Sequence, residues 1–143
     1  MKKFCILLYI TFVFVYYAGA EEMKSNDVIV EILIGSEKAE GIIYDNNAGR
    51  SFLSLLPLTL KMSDYNNTEK IGKIGKRIDT NGLPLSYDPN VSDIAYYEPF
   101  GNLCFFYRDF GLSNSLYSIG RLTKGIDIFA DQKQDFEITI KRK

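Results

Sequence analysis

Histidine and tryptophan are absent from this 143-residue sequence. Without histidine the chain has no Ser-His or Cys-His nucleophilic pair, no histidine general base and no member of most zinc-binding sets. It also has no Cys-x-x-Cys pair, and its turns rich in Asp and Asn lack the spacing of an EF-hand. The sequence therefore contains no complete catalytic or metal-binding set, and we expect no catalytic residues, no metal and no cofactor.

A strong charge of either sign is also lacking. The chain has 17 basic and 18 acidic residues, and loss of the two lysines in its N-terminal segment, Lys2 and Lys3, gives a net charge of −3. Domains that bind nucleic acid need a basic face. We therefore expect no nucleic-acid partner.

Residues 1–20 have the features of a secretory signal peptide. Lys2 and Lys3 give a positive start, residues 4–17 form an apolar or weakly polar run, and residues 18–20 give a small-x-small cleavage pattern. The run is slightly short for a lone transmembrane helix, which needs about 20 apolar residues. We predict cleavage and export to the periplasm or the medium, without membrane attachment. The alternative is an uncleaved N-terminal helix that anchors the domain.

Cysteine is scarce, and its positions limit its chemistry. Cys5 lies in the predicted signal peptide, so the mature chain keeps only Cys104 and has no intrachain disulfide. Cys104 lies within an apolar run, where cysteine is usually a small buried hydrophobe. A reactive thiol needs a basic neighbour, and Arg108 is the candidate on the same strand face.

Runs of β-branched and aromatic residues predict a mainly β fold. Residues 94–97 and 101–108 flank a Glu-Pro-Phe-Gly-Asn turn, and we expect this hairpin to form the centre of the core. Residues 116–122 are a possible strand interrupted by Gly120. The other predicted strands are residues 28–34, 39–44, 58–62, 69–74 and 136–140.

Two short helices are predicted between the strands. Asx residues 45–47 provide the N-cap of a helix over residues 48–56, which Pro57 ends. Thr123 is the predicted N-cap of a second helix over residues 124–130. The remaining segments, residues 75–90 and 109–115, are predicted loops.

Many short strands in about 120 residues indicate a closed barrel or a sandwich, because closure removes exposed sheet edges. We predict one domain over residues 27–143, preceded by a flexible leader at residues 21–26. Its expected architecture is a closed barrel of about eight strands with the two helices capping its mouths.

The order of these elements resembles the cyclophilin fold, and more closely the bacterial cyclophilin-like family of small domains. Three stretches carry the resemblance. Residues 41–60 are similar to that family's strand, helix and Leu-Pro-Leu run. Residues 93–107, DIAYYEPFGNLCFFY, look like its central hairpin and are the most specific match. Residues 118–129 are similar to the Phe-Gly-x-Val-x-x-Gly segment of cyclophilins.

Cyclophilins are peptidyl-prolyl isomerases, and the resemblance implies which of their catalytic residues this chain would keep. Their Gly-Ser-Gln-Phe-Phe motif falls on residues 102–106, which places Cys104 at the glutamine position and keeps the pocket phenylalanine as Phe106. The strand expected to carry the catalytic arginine offers Lys61 instead. The histidine and the tryptophan are missing. The resemblance therefore implies a retained groove without the catalytic set.

We interpret the protein as an exported, monomeric, non-enzymatic module that binds a small molecule or a peptide. One alternative is a weak peptidyl-prolyl cis-trans isomerase. Another is a structural or interaction domain of the cell envelope whose groove is filled by its own side chains. A redox role for Cys104 is a further alternative. The predicted ligand-binding residues are Phe106, Cys104, Arg108, Tyr97, Phe100 and Arg50.

Overall fold

Eight antiparallel strands close into a barrel in the computed structural model, which describes residues 22–143. The elements are β1 (Val28–Ile34), β2 (Glu37–Ile43), α1 (Asn47–Leu53), β3 (Leu58–Tyr65), β4 (Glu69–Lys73), β5 (Ser86–Tyr87), β6 (Asp93–Tyr97), β7 (Asn102–Phe106), β8 (Ser113–Asn114), β9 (Leu116–Lys124), α2 (Ile126–Ala130) and β10 (Phe136–Arg142). The strand order around the barrel is β1-β10-β3-β4-β7-β6-β9-β2, and β5 and β8 form a separate two-stranded sheet. This confirms the predicted mainly β class and the closed barrel.

The barrel interior is built by alternate residues of the strands, as the period-2 pattern requires. In β1, every second side chain from Val30 onward is buried, and β10 contributes Ile138 and Ile140. The central hairpin is present as predicted, with β6 and β7 paired from Ile94 opposite Phe105 to Tyr97 opposite Asn102. The core therefore lies within the barrel, under both helices.

Helix α1 has the predicted Asx N-cap, begins one residue before the predicted start and ends earlier than predicted. The Asn46 side chain accepts a hydrogen bond from the Gly49 amide at 2.7 Å, which caps the first turn. The predicted end at residue 56 is wrong, because the amides of Leu55 and Leu56 bond to carbonyls three residues back. The helix therefore tightens into turns before it reaches Pro57.

The predicted N-cap of the second helix is wrong. Thr123 belongs to β9, and its hydroxyl donates to the Glu40 carbonyl at 3.1 Å. Gly125 holds the N-cap position of α2 with φ 94°, where a side chain would approach the Ala39 Cβ to 2.7 Å. The predicted interruption of this strand at Gly120 is also wrong. The lack of a side chain there lets β9 lie close to the Ile42 carbonyl, so the strand continues.

The predicted loop over residues 75–90 contributes to the core. Ile78 is fully buried with the barrel residues, and Ser86–Tyr87 pairs with Ser113–Asn114. Within residues 22–143 no helix is long and apolar enough to cross a membrane. The predicted signal peptide, residues 1–20, lies outside the described part of the chain.

Candidate functional site

Strand β7 has two differently packed faces. Leu103 and Phe105 point into the barrel core, where the Phe105 ring stacks on Phe129 of α2 at a centroid distance of 4.5 Å. Cys104 and Phe106 point outward and form a second apolar cluster with Ala95 and other residues. The outward face of β7 therefore carries its own small hydrophobic core, which lies outside the barrel wall.

A groove of about 510 Å³ lies over this outer cluster. Strands β3, β4, β6 and β7 supply its floor, the β6–β7 turn supplies one side, and the segment from Phe110 to the start of β9 supplies another. The pairing of β8 with β5 holds this last segment in place, together with a 2.7 Å hydrogen bond from the Ser115 amide to the Leu85 carbonyl. The lining residues are Tyr65, Glu69, Ile71, Tyr97, Phe100, Asn102, Phe106, Phe110, Ser113, Asn114 and Leu116.

Aromatic rings dominate the lining. Phe106 is 1% exposed and forms the floor, whereas Phe100 and Phe110 are 67% and 45% exposed and form the rims. Tyr97 and Phe100 meet edge to face at 5.6 Å, and Phe106 and Phe110 are tilted at 6.3 Å. Such rings offer a large apolar contact area to a ligand together with a preferred geometry for another ring or a cation.

Glu69 is the one ionisable carboxylate in this lining. It lies on β4, directly opposite Phe106 of β7, and only 8% of the residue is exposed. Burial raises the pKa of Glu69 to about 7; a hydrogen bond from Cys104 opposes this rise, and the negative charge of Asp64 adds to it. In the described part of the chain no lysine or arginine forms an ion pair with Glu69 or joins it in the lining.

Cys104 lies beneath the groove and is fully buried. Burial raises the pKa of its thiol well above the usual value, and the neighbouring Glu69 carboxyl raises it further. A reactive thiol needs the opposite environment, with a basic group beside it. The single thiol proton has two acceptors, the Asn102 carbonyl at 3.7 Å and the Glu69 carboxyl.

A second polar cluster lies on the opposite side of β4. The Lys70 side chain is 4% exposed; its Nζ is 2.9 Å from Asp64 Oδ1 and donates to the Gln132 carbonyl at 2.7 Å. The Tyr107 hydroxyl donates to the same Asp64 oxygen at 2.6 Å. Burial alone would raise the pKa of Asp64, but hydrogen bonds from Tyr107, Lys70 and the Asn67 amide hold it below its usual value. Burial, together with the hydrogen bond that its hydroxyl donates to Asp64, raises the pKa of Tyr107 to about 12.

The predicted site residues fall into three groups in the structure. Phe106, Tyr97 and Phe100 line the groove, and Cys104 lies under its floor. Arg108 lies outside the lining, with its guanidinium 5.8 Å from the Tyr107 ring centre. Arg50 lies on the surface of α1, where it bonds to Asp45 and Asn47 at 2.6 Å each.

Sequence reasoning did not identify Glu69, Ile71 and Phe110. The alternation of β4 places Glu69 and Ile71 on one face, which is the available signal. Their position in the groove depends on the pairing of β4 with β7, in which Glu69 lies opposite Phe106 across 37 positions of sequence. Lys61 lies on β3, the strand expected to carry the catalytic arginine. It is exposed, lies opposite Glu137 in the strand register with β10, and is outside the lining.

Two other depressions have different linings. One of about 630 Å³ lies beside the β1–β2 turn and is lined mainly by polar groups around Gly35–Glu37 and Glu137. Another of about 420 Å³ contains Lys73, Lys76 and Arg77. Residues 22–143 include no group of three or more acidic, histidine or cysteine side chains that could hold a metal ion. The groove over Phe106 is thus the place where aromatic rings and a buried carboxyl converge.

Comparisons with known proteins agree with this architecture. Residues 32–141 match the cyclophilin-like family. Among solved structures, a hypothetical protein from Archaeoglobus fulgidus, determined in solution, is similar with a TM-score of 0.62 and 15% identity. The match covers 82% of this chain and 95% of that chain, so it shows a shared fold. No curated protein matches the chain. The family match spans most of the sequence and confirms the resemblance carried by the central hairpin, so the chain belongs to the cyclophilin-like family.

Proposed function

We propose that this protein is a non-enzymatic binding module that takes a small molecule or a short peptide into the groove over Phe106. The observation that carries the proposal is the groove itself, about 510 Å³ in volume and lined by five aromatic side chains. Ligand sites usually measure about 300–1,000 Å³ and combine apolar walls with a few polar groups. Here the polar groups are Glu69, Asn102, Ser113 and Asn114.

The groove supports binding over a purely structural role. A filled groove would leave no space above the floor residue, whereas open volume lies over Phe106 between Tyr97 and Phe110. The exposed rings of Phe100 and Phe110 are also unusual for a surface without a ligand, since large apolar side chains gathered around a depression mark binding sites.

The lining favours binding over proline isomerisation. The isomerases of this fold polarise the proline amide with an arginine, and a preorganised donor supplies much of such catalysis. No lysine or arginine is present among the described lining residues, and the ionisable group there is the acid Glu69. Cys104, at the glutamine position, is buried below the floor. The weak isomerase therefore remains the less favoured alternative.

Export and a monomeric state complete the proposal. Export rests on the N-terminal pattern of residues 1–20. N-terminal sequencing of the protein recovered from the cell envelope and the medium tests it: a chain starting near Glu21 supports cleavage, and a chain retaining residues 4–17 supports an anchor. Sedimentation analysis tests the monomer.

Proton–nitrogen NMR titration tests the proposed binding. The probes are N-acetyl-Phe-Pro-amide and 2-phenylethanol, a blocked peptide and a small apolar molecule. We expect amide shifts centred on residues 102–106 and weaker binding, by about fivefold, in Phe100→Ala, because a partly exposed ring that contacts a ligand contributes about 1 kcal/mol. Leu85→Ala is the matched control, since Leu85 is 78% exposed and outside the lining. Millimolar probes that shift no groove residue would overturn the proposal.

A further inference from the structure

We infer that the groove selects a small primary ammonium ion with an apolar body, whose charged end pairs with Glu69 while the body lies among the aromatic rings. This inference rests on the proposed binding function and specifies its ligand class. It starts from an imbalance of charge: the lining contains one buried carboxyl and no cation among the described residues.

The surroundings of Glu69 leave its negative charge without a counter-charge. The titratable groups around this carboxyl are Cys104 on β7, Asp64 and Tyr65 on β3, and Tyr97 on β6, none of which is cationic. Arg108, on the segment after β7, lies outside the lining and over Tyr107. A buried carboxylate with one thiol hydrogen bond gains most from a charged N–H donor, because charge-assisted hydrogen bonds are the strongest available to it.

The aromatic rings of the groove lining also suit an ammonium ion with an apolar body. The rings of Tyr97, Phe100, Phe106 and Phe110 line the same groove as the carboxyl, and aromatic faces attract cations as well as apolar groups. The volume of about 510 Å³ suits a small molecule rather than a folded partner. Neutral amides and alcohols would fill the same space without neutralising Glu69.

Ionisation of Glu69 links this selectivity to pH. Because burial raises the pKa of Glu69 to about 7, the carboxyl is largely protonated at pH 6 and largely ionised at pH 8. An alkylammonium ion keeps its charge at both values. Affinity for the ammonium ion should therefore rise about tenfold from pH 6 to pH 8, and affinity for a neutral ligand should stay the same.

The test compares two probes of the same shape, 2-phenylethylammonium and 2-phenylethanol, by NMR titration at pH 8 and pH 6. We expect the ammonium ion to bind wild-type protein at least tenfold more tightly than the alcohol at pH 8. In Glu69→Gln the two affinities should become equal, because the amide keeps the shape and loses the charge. Glu37→Gln, an exposed carboxylate outside the groove, is the matched control and should behave as wild type.

The outcomes separate this inference from the proposed function. Equal affinities of the two probes for wild-type protein at pH 8 would overturn the ammonium inference and leave the binding module intact. Selectivity that persists in Glu69→Gln would also overturn it, since the charge would then be recognised elsewhere. Failure of both probes, and of the blocked peptide, to shift any groove residue would overturn the binding function itself.

Discussion

Lys70 and Glu69 are neighbouring charged residues on opposite sides of strand β4, and their surroundings differ. Lys70 points into the barrel mouth, where Asp64, Tyr107 and the Gln132 carbonyl surround its ammonium group. Glu69 points to the groove, where its hydrogen-bonding neighbour is the Cys104 thiol and no cation faces it in the described residues. A buried charge is tolerated when it is paired, and an unpaired one shifts its pKa instead. The charges of the inner cluster around Lys70 are thus paired within the chain, whereas the groove leaves space for a cation beside Glu69.

The largest expected effect comes from removing the inner cation. Lys70→Met keeps the length of the side chain and loses the ion pair with Asp64 and the hydrogen bond to Gln132. We expect the free energy of unfolding to fall by about 2–3 kcal/mol, less than for a fully buried pair because Asp64 is partly exposed. Urea denaturation measures the change. Lys73→Met, an exposed lysine of the same strand, is the control; an equal loss in both variants would contradict the structural role of the inner cluster.

The next effect concerns the pH dependence of stability. The folded-state pKa of Glu69 lies near 7, above the ordinary glutamate value of 4.5, so the folded protein binds this proton more tightly than the unfolded chain. The associated stability is fully present below about pH 4.5 and is lost as pH rises through about 7. The full shift corresponds to about 3 kcal/mol, and we expect a loss of roughly 2 kcal/mol across this window, because water in the open groove screens the carboxyl. Urea denaturation at several pH values measures it. Glu69→Gln should abolish this slope, and a slope that survives in the variant would assign it to another group.

The stability contribution of Asp64 changes with pH in the opposite direction to that of Glu69. Its folded-state pKa lies below its usual value, so its contribution is present at neutral pH and is lost only as the solution becomes acidic. The two carboxyls therefore act in separate pH ranges, and the Glu69 slope can be read without interference from Asp64.

The smallest expected effect comes from a substitution that places a lysine side chain in the groove. Ile71 lies two residues from Glu69 on the same face of β4 and lines the groove. A lysine at this position, Ile71→Lys, brings a positive charge near the carboxyl and should lower the pKa of Glu69 by about one unit. Carbon-13 NMR of the carboxyl measures it. Ile71→Met, similar in length and uncharged, should leave the pKa near 7, and an equal fall in both variants would show that the charge is not the cause.

The strands and their closure were largely predictable from the sequence. The bounds of β1 and the β6–β7 hairpin followed from alternation and a Pro/Gly turn, because these signals are local. The errors were local as well. A threonine before an apolar run can extend a strand as readily as cap a helix. Thr123 extends β9, because its hydroxyl donates to the Glu40 carbonyl of the neighbouring strand.

The composition of the groove was predictable only in part. The resemblance to cyclophilins placed Phe106 in the groove, and Tyr97 was a further candidate on the neighbouring strand of the same hairpin. Glu69 lies in the groove because β4 pairs with β7, and the sequence alone does not specify this pairing. Arg50 was also a predicted ligand-binding residue, but Asp45 and Asn47 hold it on the α1 surface.

The core residue Phe105 and the groove rims differ in what their replacement affects. Substitutions at Phe105 alter the packing on which barrel closure depends, and a large buried residue of this kind is worth about 3–5 kcal/mol. The rim residues Phe100 and Phe110 are exposed and stand outside that core, so their replacement leaves closure unaffected. Under the proposed binding function, the rims can therefore be changed to accept another ligand without disturbing the core face of β7 that closes the barrel.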